Sequence, residues 1–305
     1  MNLHSPLHRR RFALTAVGAS LAALAFACIA SPLAALEQTE TVTRSFTLAA
    51  VEGRRALVVD NLSGSIVIEG GSGDAVELTL TQTFVAKSSA EMARARQEVK
   101  LEVTEQPGRL ELVQDGPWSC KGRGHARRGN CCCDHDGTDD RQYEVRFDWK
   151  LRVPREVDLE VSAVNEGAIR ITGTSGHLEV GHVNDDVTLV RVAGIVDAST
   201  VNGKLAVDFA ALPAGDCSFG TVNGDIELAF PKGLGAELSF ATLNGEVYTD
   251  FPFELAKLPP TSTRSKSGGR QHHEVGGRTA ATLGGGGIGL ACQTVNGDIT
   301  IRERS

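Results

Sequence analysis

Through the second half of the chain, apolar and polar residues alternate in short pairs, and the pairs recur around a repeated asparagine. Three residues after Asn184, Asn202, Asn223, Asn244 and Asn296, and four after Asn165, an alternating pair begins: Ile169/Ile171, Val187/Leu189, Leu205/Val207, Ile226/Leu228, Val247 with Thr249, and Ile299/Ile301. Six and four residues before each asparagine stands another pair: Leu159/Val161, Leu178/Val180, Val196/Ala198, Cys217/Phe219, Leu238/Phe240 and Leu290/Cys292. A period of two predicts strands with one buried face. The interval of 18 to 21 residues between most successive asparagines predicts a repeated unit of two short strands joined by Gly-rich corners. One unit cannot bury its apolar face alone, so units must stack.

The expected fold is therefore all-β: a right-handed parallel β-solenoid, or β-helix-like repeat, with an irregular N-terminal β part and one short helix. Asparagine suits the corners because it tolerates left-handed backbone angles and its amide can bond to the asparagine of the next unit. Four of the six are followed by glycine. Asn-Gly also marks tight hairpins, so an antiparallel sandwich or meander is the rival reading.

The N-terminal β part covers 36–157. Runs at Val42–Leu48, Ala56–Val59, Val76–Phe84, Val99–Val103, Leu110–Val113 and Tyr143–Val153 read as strands. Asn61-Leu62-Ser63-Gly64 followed by Ile66 and Ile68 repeats the later pattern. Ser88–Arg96 reads as the helix, with Ser88 or Ser89 as its cap. The repeats occupy 158–305. The 52 residues from Asn244 to Asn296 leave room for further units and for a Gly/Ser/Pro-rich loop over 254–287. Arg302 and Arg304 are expected to guard an open last strand against pairing with another chain.

Residues 1–35 read as an export signal: His8, Arg9, Arg10 and Arg11 precede a charge-free run from Phe12 to Ala30 and then small residues. Cleavage is expected between Ala27 and Leu36, although an uncleaved anchor from Phe12 to Leu36 is long enough to span a bilayer. Arg9–Phe12 resembles a twin-arginine signal without its lysine, and Ala25-Phe26-Ala27-Cys28 a poor lipoprotein box. The reading is an exported chain, periplasmic or on the cell surface.

Against 38 acidic residues stand 31 basic ones, three of them in the signal, so the remainder carries a formal charge near −10. Such a surface does not attract a phosphate backbone, which argues against nucleic acid as partner. Two Tyr and two Trp offer few stacking platforms.

A long loop over 118–140 breaks the pattern and holds four of the seven cysteines. Export favours disulfides there, with Cys120 bonded to one of Cys131, Cys132 and Cys133. The competing reading is a zinc or copper site with Cys120, His125, Cys131, Cys133 and His135 as ligands, and a third is redox exchange. Cys217 and Cys292 occupy inward positions. With one unit between them they would lie about 10 Å apart at roughly 4.8 Å per strand, and free buried thiols are expected.

No Gly-x-Ser-x-Gly elbow, phosphate loop or His-Glu-x-x-His helix is present. Asp185, Asp186, Asp197, Asp225, Glu246 and Asp298 could be imagined along one edge, but a glycosidase needs two carboxylates across a groove, and solvated corners account for them better. No cofactor is implied.

The stretch Asn244-Gly245-Glu246-Val247 through Phe251-Pro252-Phe253, with Gly284-Gly285-Gly286-Gly287 and Thr294-Val295-Asn296-Gly297-Asp298-Ile299, resembles a bacterial putative-adhesin family of unknown-function domains with Val-Asn-Gly repeats. The resemblance runs from about Asp60 to Arg304. It implies an extracytoplasmic β-solenoid-like domain and no catalytic residues; the Cys-rich loop departs from the family's pattern. The functional expectation is a non-enzymatic, monomeric cell-envelope protein, adhesin-like or a scaffold, binding an envelope protein or polysaccharide. A periplasmic metal-binding or redox-responsive protein is the second reading, and a carbohydrate-active enzyme the third.

Overall fold

The computed structural model describes residues 35–118, 141–255, 263–267, 270–274 and 279–304. Apart from Ala35 and Trp118 at their margins, the expected export signal and Cys-rich loop lie outside these residues. The described N-terminal part forms β1 (Leu36–Thr47), β2 (Ala56–Asn61), β3 (Ile66–Gly71), β4 (Ala75–Ala86), α1 (Ser89–Glu98), β5 (Lys100–Gln106), β6 (Arg109–Asp115) and β7 (Tyr143–Pro154). Ser88 caps α1, its side chain accepting from the Glu91 amide at 3.2 Å.

The repeats supply β8 (Asp158–Ala163), β9 (Ile169–Thr172), β10 (Ser175–Gly181), β11 (Val187–Ser199), β12 (Leu205–Phe209), β13 (Cys217–Gly220), β14 (Ile226–Phe230), β15 (Ala236–Ala241) and β16 (Val247–Thr249). Then come β17 (Phe253–Leu255), β18 (Thr263–Ser267), β19 (Arg270–Glu274), β20 (Thr279–Leu283), β21 (Ile288–Gln293) and β22 (Ile299–Glu303). Much of the stretch expected as a loop over 254–287 thus contributes strands. Every second side chain is buried along β4, β8, β12 and β14.

Two ladders share the work. The first runs β6, β2, β8, β10, the C-terminal part of β11, β13, β21 and β15, all parallel. Antiparallel strands close its ends: β5 beyond β6, and β20 then β17 beyond β15. The second runs β7, β3, β9, the N-terminal part of β11, β12, β14, β22 and β16 in parallel, with β4 and then β1 antiparallel beyond β7. β11 belongs to both. Its pairing with β12 shifts between Val190 and Val192, and Arg191 between them has φ 51°, the local turn that carries the strand from one ladder to the other. The inward side chains of both ladders form one apolar core, in which Phe209 stacks on Phe230 at 4.6 Å and meets Phe219 edge-on at 6.3 Å.

The right-handed parallel β-solenoid expected from the repeat is not formed. Twenty strands join in one mixed sheet, curled as a half-barrel, with antiparallel and parallel pairs. Nor is spatial order the chain order: β21 lies between β13 and β15, and β22 between β14 and β16. An alternating pattern specifies which face a strand buries but not which neighbour it bonds, so the last segment can enter between two earlier ones. The hairpin rival fails as well, because the Asn-Gly corners join strands that run parallel or lie in different ladders.

Two smaller expectations change with it. β22 is an interior strand, so Arg302 and Arg304 guard no edge; Arg304 instead donates to the Phe209 carbonyl at 3.2 Å and lies 3.6 Å from Asp208. Cys217 and Cys292 sit on adjacent strands rather than one unit apart, with Cys217 opposite Leu290 and Phe219 opposite Cys292. Both are free and buried. Their two-residue offset makes them diagonal neighbours, roughly 7–8 Å apart, too far for a bond. Among the described residues no helix is long and apolar enough to cross a membrane.

Candidate functional site

The asparagine corners form a side-chain ladder in spatial order. Asn202 donates to Asn184 at 3.2 Å, Asn223 to Asn202 at 2.8 Å, Asn296 to Asn223 at 2.7 Å and Asn244 to Asn296 at 2.7 Å. None of these asparagines has a positive φ, so tolerance of left-handed angles is not what places them there. Each amide is both donor and acceptor, and a stack of identical corners lets the interior ones, Asn202, Asn223 and Asn296, use both. Two residues earlier, Thr200, Thr221, Thr294 and Thr242 donate to the carbonyls of Asp185, Gly203, Gly224 and Gly297 at 2.9–3.1 Å. His182 holds the corresponding place before Asn184. Its Nδ1 accepts from the amides of Val183 and Asn184, which leaves Nε2 to donate to the Gly167 carbonyl at 2.9 Å.

The corner acids have the same task. Asp185 accepts from the Gly167 amide, Asp186 from Lys204, Asp225 from Asp298, and Asp298 from Glu246, at 2.7–3.1 Å. Four of the six acids considered from the sequence are therefore ties between corners. Tyr248 hydrogen-bonds to Glu246, a fifth. Asn61, which repeats the pattern in sequence, stays out of the ladder: it is buried and donates to the carbonyls of Gly64 and Phe147.

Asp197 belongs to a different constellation. On the outward face of the first ladder, the residue between the two members of each inward pair falls in one row: Val58, Glu160, Glu179, Asp197, Ser218, Ala291 and Ser239. Three carboxylates thus stand on consecutive strands, spaced by roughly 4.8 Å. Beside them runs a row of small residues, Ser162, Gly181, Ser199 and Gly220. Two shallow cavities of about 460 and 510 Å³ share Glu160 and Glu179 and together make a trough across the strands.

Neighbours hold the acids in place. Arg109 reaches Glu160 at 3.4 Å and Glu111 at 2.7 Å, and Arg54 pairs with Asp158 at 3.0 Å. His177 Nε2 lies 3.0 Å from Asp197, which also accepts from Ser218 at 2.7 Å. Like charges one strand apart repel, and the Arg109 guanidinium and the Ser218 hydroxyl offset part of the cost. The sequence carries a signal for this row that the inward pairs obscure: Glu160, Glu179 and Asp197 each stand five residues before a corner asparagine.

The expected ligands Cys120, His125, Cys131, Cys133 and His135 all lie outside the described residues. Trp118, Tyr143, Asn165 and Asn184 help line a cavity of about 690 Å³, and the Arg141 guanidinium sits 5.9 Å from the Trp118 ring centroid. Burial, followed by its bond to Glu98 at 2.5 Å, pushes the Tyr143 hydroxyl up to about 12, while that same bond holds Glu98 below the ordinary carboxylate value. Among the described residues no three His, Cys, Asp or Glu side chains converge as a metal site. Burial raises the Cys217 thiol, and pushes Cys292 up to about 12, so neither forms the nucleophilic thiolate near neutrality.

No protein-family model matches the chain, and no curated protein matches it closely enough to count as a relative. Among solved structures, it is similar to a putative cell adhesion protein from Clostridium sporogenes, at 13% identity and TM-score 0.41, over 88% of this chain and 100% of that one. A putative adhesin from Bacteroides fragilis follows at 10% identity and TM-score 0.33, over 87% and 97%. A putative lipid binding protein from Parabacteroides distasonis has 8% identity and TM-score 0.28, over 87% and 97%. With identities this low and TM-scores below 0.5, these likenesses assign neither a family nor a function to this chain.

Proposed function

We propose that the protein is a non-enzymatic binding module of the cell envelope, and that its working surface is the acidic trough on the outer face of the first ladder. The observation that carries this reading is the row Glu160, Glu179, Asp197, held on consecutive rigid strands beside a floor of Ser and Gly. Small floor residues let a chain lie close to the sheet, and evenly spaced carboxylates match evenly spaced positive groups. The ligand is an extended cationic chain presented in the envelope, whether a protein segment or an amino-sugar polysaccharide. Within the trough, Glu160 is held by Arg109 and Asp197 by His177 and Ser218, an arrangement of fixed carboxylates that favours binding.

Calorimetric titration with an oligolysine and with an oligomer of deacetylated amino sugar tests the reading. Binding that weakens with added salt, and falls at least tenfold in the Glu160→Gln/Glu179→Gln variant, is the expected result. Equal affinity in the variant, or no binding of either probe, would refute it.

A further inference from the structure

Among the described residues, the longest strand at an end of the sheet is β1. β1 spans 12 residues and pairs only with β4 among the described residues. The other terminal strands are shorter: β5 has 7 residues, β16 and β17 have 3 each. Both faces of β1 are largely exposed, with Val42 and Phe46 half-buried against the core.

Which backbone groups point outward follows from one bond. The Leu48 amide donates to the Asp74 carbonyl at 2.7 Å, continuing the register in which Thr47 faces Ala75. Bonded pairs in an antiparallel ladder recur every second residue, so the even-numbered residues of β1 spend their N–H and C=O groups on β4. Glu37, Thr39, Thr41, Thr43, Ser45 and Thr47 direct theirs to the open side.

An antiparallel second copy can use this edge only in registers that pair odd residues with odd residues. Among these, a dyad at Glu40 would oppose Glu40 to Glu40, and one at Arg44 would oppose Arg44 to Arg44. A dyad at Thr41 or Thr43 faces one of these charges with Val42. A dyad at Val42 places Glu40 of each copy opposite Arg44 of the other. It also sets Thr41 opposite Thr43 and Thr39 opposite Ser45, pairs that suit cross-strand hydrogen bonding. Glu40 already pairs with Arg96 of α1 in its own chain, so each cross-dyad contact would extend an Arg96–Glu40–Arg44 network.

We propose that two copies of this chain associate through β1, antiparallel and with the dyad at Val42, giving a continuous sheet across the interface. Six bonded residue pairs would supply about 12 inter-chain hydrogen bonds. The same repetition for β5 gives no matching charges: around Val103, Lys100 meets Gln106 and Glu105 meets Leu101. This assignment departs from the monomer expected from the sequence and is independent of the trough, which lies on the other ladder.

Light scattering and sedimentation on the exported, processed chain at tens of micromolar test it. The unaltered protein is expected to be a dimer. Glu40→Arg and Arg44→Glu are each expected to weaken self-association at least tenfold, because each creates a like-charge pair. Mixed in equal amounts they should restore a dimer, since every opposed pair in the mixed species is then complementary. Val42→Cys should form an inter-chain disulfide under mild oxidation, as facing residues of a non-hydrogen-bonded pair lie about 4.5 Å apart. Thr43→Pro removes an outward amide without touching the β4 ladder and should leave a folded monomer. A monomeric unaltered protein, a Thr43→Pro variant that stays dimeric, or a mixture that stays monomeric would each overturn the proposal.

Discussion

Replacing Gly203 with alanine tests whether the corners meet as closely as the structure shows. A Cβ there would stand 2.2 Å from the Asp185 carbonyl oxygen and 2.5 Å from its carbon, where ordinary contact begins near 3.4 Å. The neighbouring atom is backbone, so no side chain can swing aside; the corners must part by about 1 Å. That displacement stretches the 3.2 Å bond from Asn202 to Asn184 beyond hydrogen-bonding range and weakens two others, Thr200 to the Asp185 carbonyl at 2.9 Å and the Lys204 amide to Asp186 at 2.7 Å. One bond lost and two weakened, at about 0.5–1.5 kcal/mol each, give a loss of at most about 1.5–4.5 kcal/mol. For a chain of this size that lowers Tm by at most about 3–18 °C. Urea unfolding should show a lower midpoint with an unchanged slope, because the surface exposed on unfolding is the same. Gly181→Ala is the control: nothing lies within 4 Å of its Cβ position, and it should be neutral or stabilise by up to about 1 kcal/mol. A Gly203→Ala protein as stable as the unaltered chain would refute the close approach, and with it the stacking of corners.

Two further outcomes follow from the same geometry. Asn223→Ala removes a residue that donates to Asn202 and accepts from Asn296, and should cost about 1–2 kcal/mol in chemical denaturation; no measurable loss would mean the amide ladder is solvated rather than cohesive. The Cys292 thiol, raised from 9.0 to about 12 by burial, binds its proton more tightly folded than unfolded, so its contribution to stability is complete below pH 9 and is lost as pH rises from 9 toward 12. A Cys292→Ala variant should flatten that alkaline slope, and a thiol reagent at pH 8 should label Cys292 only after unfolding; rapid labelling of the folded chain would contradict the burial.

Much of this was legible in the chain because burial leaves a period in sequence. The pairs around each asparagine specify strands, their inward face and the positions of the corners, and the interval between asparagines marks where the pattern recurs. Ser88 at the start of α1 could be read from capping chemistry, and the burial of Cys217 and Cys292 from their inward positions; their free state was expected from a one-unit separation, whereas they are kept apart by a two-residue offset on adjacent strands. The acid row was present at a constant offset from the asparagines. It becomes a surface only when three strands lie side by side. Three decisions belong to the tertiary structure alone. β21 and β22 enter between earlier strands, β11 serves both ladders through a bend at Arg191, and antiparallel strands end the sheet where a continuous parallel repeat was expected. Side-chain alternation sorts residues into buried and exposed, a property of each strand by itself, whereas partner and direction are settled by backbone hydrogen bonds that every sequence can make.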